Sequence, residues 1–184
     1  MSEFSYIDIS ATAMAGGGGA DHDALVKRDL GEGVPTFPPI ERERLMYLRE
    51  RVTRCISASP RLAGLRDLLL ALAGHEVVLH SHEPHLEQLL TRGREFRGEG
   101  ARDHPMLPSQ CHTNAALLWQ FSGGAVGIAT GYALSEDGLW RQHSWGTKPG
   151  LVIETTEPRL RYFGVALSGW ESAEFAEENG VVDM

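Results

Sequence analysis

The sequence predicts an α+β fold, with N-terminal helices and a further helix opening at Cys111 packed on an antiparallel sheet of about four or five strands. Three observations lead there. Residues 40–72 carry apolar side chains at helical spacing. Residues 127–167 carry strand-like runs broken at Asp137-Gly138 and at Lys148-Pro149-Gly150. Between them, Pro108 and Ser109 stop any upstream helix, and Asn114-Ala115-Ala116-Leu117-Leu118-Trp119 is a run of mostly good helix formers.

Taken in order, residues 1–39 combine Ala11-Thr12-Ala13-Met14-Ala15, the run Gly16 to Gly19, and Pro35, Pro38 and Pro39, a composition that suits a flexible N-terminal arm. Residues 40–184 form one domain. Leu45, Leu48, Val52 and Ile56 give an amphipathic helix over Ile40 to Ile56, in which Cys55 is a packed thiol. Ser59-Pro60 starts a second helix whose apolar face is Leu62, Leu65, Leu68, Leu69 and Leu72, antiparallel to the first. His75 to His80 reads as a short strand, and Ser81 to His85 opens a third helix running to Gly93. Residues 92–109 read as a long loop that forms a cleft wall before Cys111. After the hairpin strands Leu139 to Trp145 and Leu151 to Thr155, Arg161 to Leu167 is a further strand. Ser168 and Glu171 then make a capping-box pattern that starts a terminal acidic helix ending near Gly180.

Composition narrows the function. A formal net charge of −8 over 184 residues disfavours nucleic acid, whose phosphates need clustered Lys and Arg. Cys55 and Cys111, the only two cysteines, make no disulfide framework, and a reactive thiol must stay reduced, so a cytoplasmic location is expected. Met1 to Ser10 lacks basic residues and no long apolar run follows, so neither a secretion signal nor membrane insertion is expected. No phosphate loop, dinucleotide fingerprint, metal finger or internal repeat is present.

The chemistry centres on Cys111. A thiol at a helix N-terminus meets unpaired amides and the positive end of the dipole, which lower its pKa and can stabilise an oxyanion. It then needs a base, and the base needs an orienting group. His143 and Glu154 supply both, because a hairpin turning near Pro149 sets them almost opposite one another on one face, with Cβ atoms roughly 5 Å apart. The helix carrying Cys111 is expected to pack on that same face. His112, Asn114, Gln142 and Trp145 flank the three and are candidates for substrate or oxyanion contacts, with His104 a lesser one. A rival constellation is His80, His82 and His85, whose spacing suits a zinc or redox-metal site and hence a metal-dependent enzyme or metal-binding protein. A non-catalytic binding module on the same fold is the third class.

The order of Cys111 at a helix start, Gly127-Ile128 leading to Gly131-Tyr132, His143-Ser144-Trp145 and Glu154-Thr155-Thr156 resembles the transglutaminase-like core within the wider papain-like cysteine-enzyme group. The resemblance covers roughly residues 105–167. Glu154 stands where that family carries Asp. It implies Cys111 as nucleophile, His143 as base, Glu154 as orienting carboxylate and Gln110 as an amide donor to the oxyanion. It further implies a hydrolase or acyltransferase that acts on an amide or thioester, in a peptide, a small molecule or a carrier-bound acyl group, and needs no metal or cofactor.

Overall fold

The computed structural model describes residues 36–97 and 101–180, and the expected arm lies outside them except for residues 36–39. There Phe37 packs edge-on against His75, whose Nε2 lies 3.2 Å from the Pro38 carbonyl. The helix α1 (Arg42–Ala58) buries Leu48, Val52 and Cys55, one stripe at helical spacing. The next helix, α2 (Leu62–Leu72), wholly buries Leu62, Leu65 and Leu69. Its start is a tight backbone turn, with Leu62 N–H bonded to Ser59 O and Ala63 N–H to Pro60 O, and Ser59 makes no side-chain cap. Both helices share a core with the strand that follows, β1 (Glu76–Val78). Within β1 the carboxylate of Glu76, wholly buried, takes a bidentate bond from Arg66 at 2.7 and 2.8 Å.

The expected loop at 92–109 is partly ordered into strands. After α3 (Leu86–Arg92) come β2 (Arg94–Arg97) and β3 (Arg102–Asp103), both too short to read from periodicity. Then follow α4 (Cys111–Phe121), β4 (Gly127–Leu134), β5 (Leu139–Lys148), β6 (Leu151–Glu154), β7 (Arg161–Ala166) and α5 (Gly169–Asn179). The Ser168/Glu171 capping box is formed in both directions. Among the described residues no helix is long and apolar enough to cross a membrane.

The architecture is α+β, but the sheet is mixed where an antiparallel one was expected. Its order is β2-β7-β4-β5-β6-β3, with antiparallel pairing from β2 to β6, while β3 adds to β6 and β1 to β5 in parallel. Parallel pairing joins segments distant in sequence, so no local turn signal announces it. One consequence positions the site. On the edge of β5 away from β4, β1 pairs with Leu139 to Arg141 and β6 with Gly146 to Lys148. Gln142 to Trp145 lie between them with that edge open.

The sheet buries both faces. On one, Ile128, Tyr132, Phe163 and Val165 pack with Ala115 and Ala116 of α4, Phe175 of α5 and the two N-terminal helices. On the other, Trp145, Tyr162, Ala129, Ala133 and Val152 pack with Phe96 and Ala101. Strand alternation assigns His143 to this second face, because it follows the parity of Trp145. To that face β4 contributes only Ala129, Gly131 and Ala133. Gly131 pairs with both His143 and Gly164. A Cβ on Gly164 would stand 2.7 Å from the Trp145 ring and 2.4 Å from Thr130 O, so this row must stay bare for the aromatic side chains to lie over it.

Candidate active site

Cys111 is the first residue of α4, preceded by Gln110 at the cap and by Ser109, the one described non-glycine residue with positive φ, at 59°. Gln110 makes no side-chain cap, so the amides of the first turn are not covered by a side chain. What anchors this end is Asn114. Wholly buried, it accepts from Leu107 N–H through Oδ1 and donates through Nδ2 to Leu107 O and Thr155 O. The preceding loop and the end of β6 are thereby tied to the helix start.

The helix does not pack on the His143 face. Ala115 and Ala116 belong to the opposite core, His112 bonds Ser144, and a Cβ on Gly146 would strike Leu118. Cys111 instead meets β5 at its open edge, where the thiol lies against the backbone N–H of Ser144 and the imidazole of His143. A hairpin pattern cannot show this gap, because it depends on where β1 docks.

His143 Nε2 bonds Glu154 at 2.9 Å to Oε2 and 3.2 Å to Oε1, so Nδ1 is the ring nitrogen that the carboxylate does not engage. The register is shifted by one pair from the expected opposition. β5 and β6 pair Gly146 with Ile153, so continuing the ladder sets Trp145 across from Glu154 and makes His143 its diagonal neighbour on the same face. Parity was kept, and the longer Glu side chain spans the diagonal. Glu154 also accepts from Thr155 N–H at 2.9 Å, Thr156 N–H at 2.8 Å, the Thr156 hydroxyl at 2.9 Å and Tyr162 OH at 2.8 Å. Tyr162 reaches it from β7 across two intervening strands, over the small residues of β4.

These contacts fix the charges. Burial alone would raise the Glu154 pKa, but the bonds from His143, Thr156 and Tyr162 outweigh it and hold the group down at about 2. Burial opposes charge on His143 too, yet contact with Cys111 and Glu154 raises it to about 9. For Cys111 burial pushes the thiol up, while His143 and the N–H groups of Ser144 and His112 more than reverse this and lower it. The contacts therefore keep Glu154 ionised, favour charge on the His143 imidazole and shift Cys111 towards its thiolate.

The flanking residues divide by burial. Asn114 is spent on structural bonds and Trp145 is wholly buried, its ring stacked 6.2 Å from His143 at 19°. Neither side chain of these two expected substrate contacts is exposed to solvent in this structure. Gln110 is exposed beside Cys111. His112 packs edge-on against Phe175 and, driven by burial and then by neighbouring His143, His85 and His80, has its pKa lowered to about 4. His112 and Gln142 line a cleft of about 250 Å³ together with His80, His82 and His85. The three imidazoles of the rival constellation thus share a wall, but among the described residues no set of His, Cys, Asp or Glu side chains is arranged to hold a metal ion. His104 is exposed, and its backbone N–H bonds Glu154 O at 2.7 Å. Cys55 is buried, 3.6 Å from Leu79 O.

Sequence reasoning missed Tyr162 and the bond of His112 to Ser144. Alternation would have put Tyr162 and Gly164 on one face, but only strand order brings that face to Glu154. No family model, curated protein or solved structure matches the chain.

Proposed function

We propose that this protein is a thiol-dependent acyl enzyme, a hydrolase or acyltransferase acting on an amide or thioester. The observation that carries the reading is the buried imidazole of His143, held between Cys111 and a carboxylate saturated with donors. The likeness of the Cys111, His143 and Glu154 order to the transglutaminase-like and papain-like group supports it. In this reading the Cys111 thiolate attacks the carbonyl carbon. The C–N or C–S bond breaks, the proton on His143 Nδ1 passes to the leaving amine or thiol, and a thioester to Sγ remains. Water or an amine then attacks that thioester, His143 takes its proton, and the thiolate is restored. The first-turn amides of α4 and the Ser144 N–H are the donors available to the oxyanion. Glu154 keeps the imidazolium oriented and charged.

Incubation with a panel of acyl thioesters and activated esters, followed by mass spectrometry of the intact protein, tests this. An acyl adduct on Cys111 that disappears in His143→Ala with the fold intact is the expected result. Wild-type protein that forms no adduct with any member of the panel, while its Cys111 alkylates normally, would overturn the reading.

A further inference from the structure

The open stretch of β5 has no strand beside it, so backbone pairing does not hold Cys111 there. Gln142 to Trp145 lie beyond the ends of β1 and β6, and whatever docks at that edge must be located by side chains. Ser144, within the stretch, touches both of the first two residues of α4. Its backbone N–H meets the Cys111 thiol, and its hydroxyl lies 2.7 Å from His112 Nδ1. Ser144 is itself held fast. It is wholly buried, and its Oγ lies 2.8 Å from Oγ1 of Thr130, the residue opposite it on β4 in the middle of the sheet. A hydroxyl can both donate and accept, so the contact with His112 stands whichever way the Ser144–Thr130 bond runs.

The other anchors of the helix start lead elsewhere. Asn114 ties α4 to Leu107 and Thr155, in the preceding loop and after β6, and Gln110 makes no side-chain cap. Besides the thiol, His112 supplies the side-chain hydrogen bond from this turn to β5. The acyl chemistry gives its ring no part. Alternation puts the Ser144 side chain on the face of β5 opposite His143. Burial, foremost, holds the His112 pKa down at about 4, so the ring is neutral at neutral pH.

We propose that His112 is a positioning residue whose bond to Ser144 docks the first turn of α4 on the open stretch of β5 and so sets Cys111 Sγ beside His143. The inference rests on Cys111 as the reactive thiol of the acyl-enzyme reading and adds a residue that acts through it. Two attachments to one immobile residue fix both the distance of the helix start from the strand and its rotation, whereas the thiol contact alone would leave the turn free to roll. Without the bond the thiol withdraws from Ser144 N–H and His143, the contacts that favour its thiolate.

The test is the iodoacetamide alkylation rate of Cys111 from pH 5 to 10 in full-length protein, with melting temperature recorded alongside. His112→Phe keeps a ring against Phe175 and deletes the bond. His112→Asn gives up that packing and keeps a polar atom at the Nδ1 position, able to donate to Ser144 or accept from it. His112→Phe should raise the thiol inflection by about one pH unit, a loss of about tenfold in rate near pH 6. His112→Asn should stay within about threefold of wild type. Ser144→Ala retains the backbone N–H and removes the same bond from the other side, so it should lose as much as His112→Phe, and the double variant no more than either. Ser144→Ala carries the test if His112→Phe does not fold. A wild-type rate in His112→Phe or Ser144→Ala, an equal loss in His112→Asn, or multiplied losses in the double variant would each overturn the proposal. Alkylation needs no acyl donor, so the two readings fail separately. The expected pattern with no acyl adduct in wild type would retain the tether and remove the acyl-enzyme reading, and an adduct with alkylation indifferent to His112→Phe would do the reverse.

Discussion

Replacing Glu154 by Gln removes a charge from beside His143 and sets an amide NH2 among donors. At an effective dielectric of about 20, a unit charge about 4 Å from the imidazolium stabilises it by about 4 kcal/mol, while a thiolate roughly twice as far is repelled by about half as much. The net, about 2 kcal/mol, is a factor of about 30 in the ratio of thiolate–imidazolium to neutral pair. A second cost is specific to this site. Thr155 N–H, Thr156 N–H, the Thr156 hydroxyl, Tyr162 OH and His143 Nε2 all approach the carboxylate as donors. A Gln offers one acceptor oxygen, and only the hydroxyls can turn to accept from its NH2, so a melting temperature lower by several degrees is expected as well. The assay is the iodoacetamide alkylation rate of Cys111 between pH 5 and 10. Wild type should keep a reactive plateau below neutrality and change again near pH 9, where His143 loses its proton. Glu154→Gln should lose at least an order of magnitude in rate near pH 6 and follow one alkaline inflection. A wild-type profile with unchanged melting in this variant would refute the assigned role of Glu154.

Limiting iodoacetamide near pH 6 should label Cys111 before the buried Cys55, as peptide mapping would read; the reverse order would remove the thiolate assignment. Tyr162→Phe keeps the ring under His143 but deletes the 2.8 Å bond to Glu154, so about 1–2 kcal/mol of stability should go in denaturant titration. Thermal stability should fall as pH drops below 6.5. Above it the raised His143 pKa, about 9 against 6.5, costs stability as pH rises, while the lowered Cys111 pKa adds stability on the approach to the ordinary thiol value, so the two offset and no steep loss is expected below about pH 9. The His112 pKa is depressed from 6.5 to about 4, so the unfolded chain takes up that proton first and stability is lost as pH falls from 6.5 to 4. Below that, Glu154 adds a further loss as pH falls from 4.5 to about 2. Calorimetry across pH 3 to 9 checks the shape, and His112→Gln should flatten the limb between 6.5 and 4. Asn114→Ala removes three bonds that tie Leu107 and Thr155 to the start of α4, and should cost about 2–4 kcal/mol in chemical denaturation.

Local patterns determined much of this protein. The Leu62, Leu65 and Leu69 stripe, the Ser168/Glu171 capping box and the Pro149-Gly150 turn each depend on residues within a few positions, and each formed as its spacing predicts. The pairing of His143 with Glu154 was legible for the same reason, since a hairpin with a two-residue turn fixes face parity. Tertiary structure alone decided the rest. Which face α4 covers depends on the packing of Ala115 and Ala116, not on Cys111. The opening through which the thiol reaches His143 exists because β1 and β6 share one edge of β5 and leave Gln142 to Trp145 uncovered. Tyr162 reaches Glu154 only because β4 lies between them with nothing larger than alanine on that face. Contacts of this kind join residues far apart in the chain, and their energies depend on strand order and docking, which no local spacing encodes.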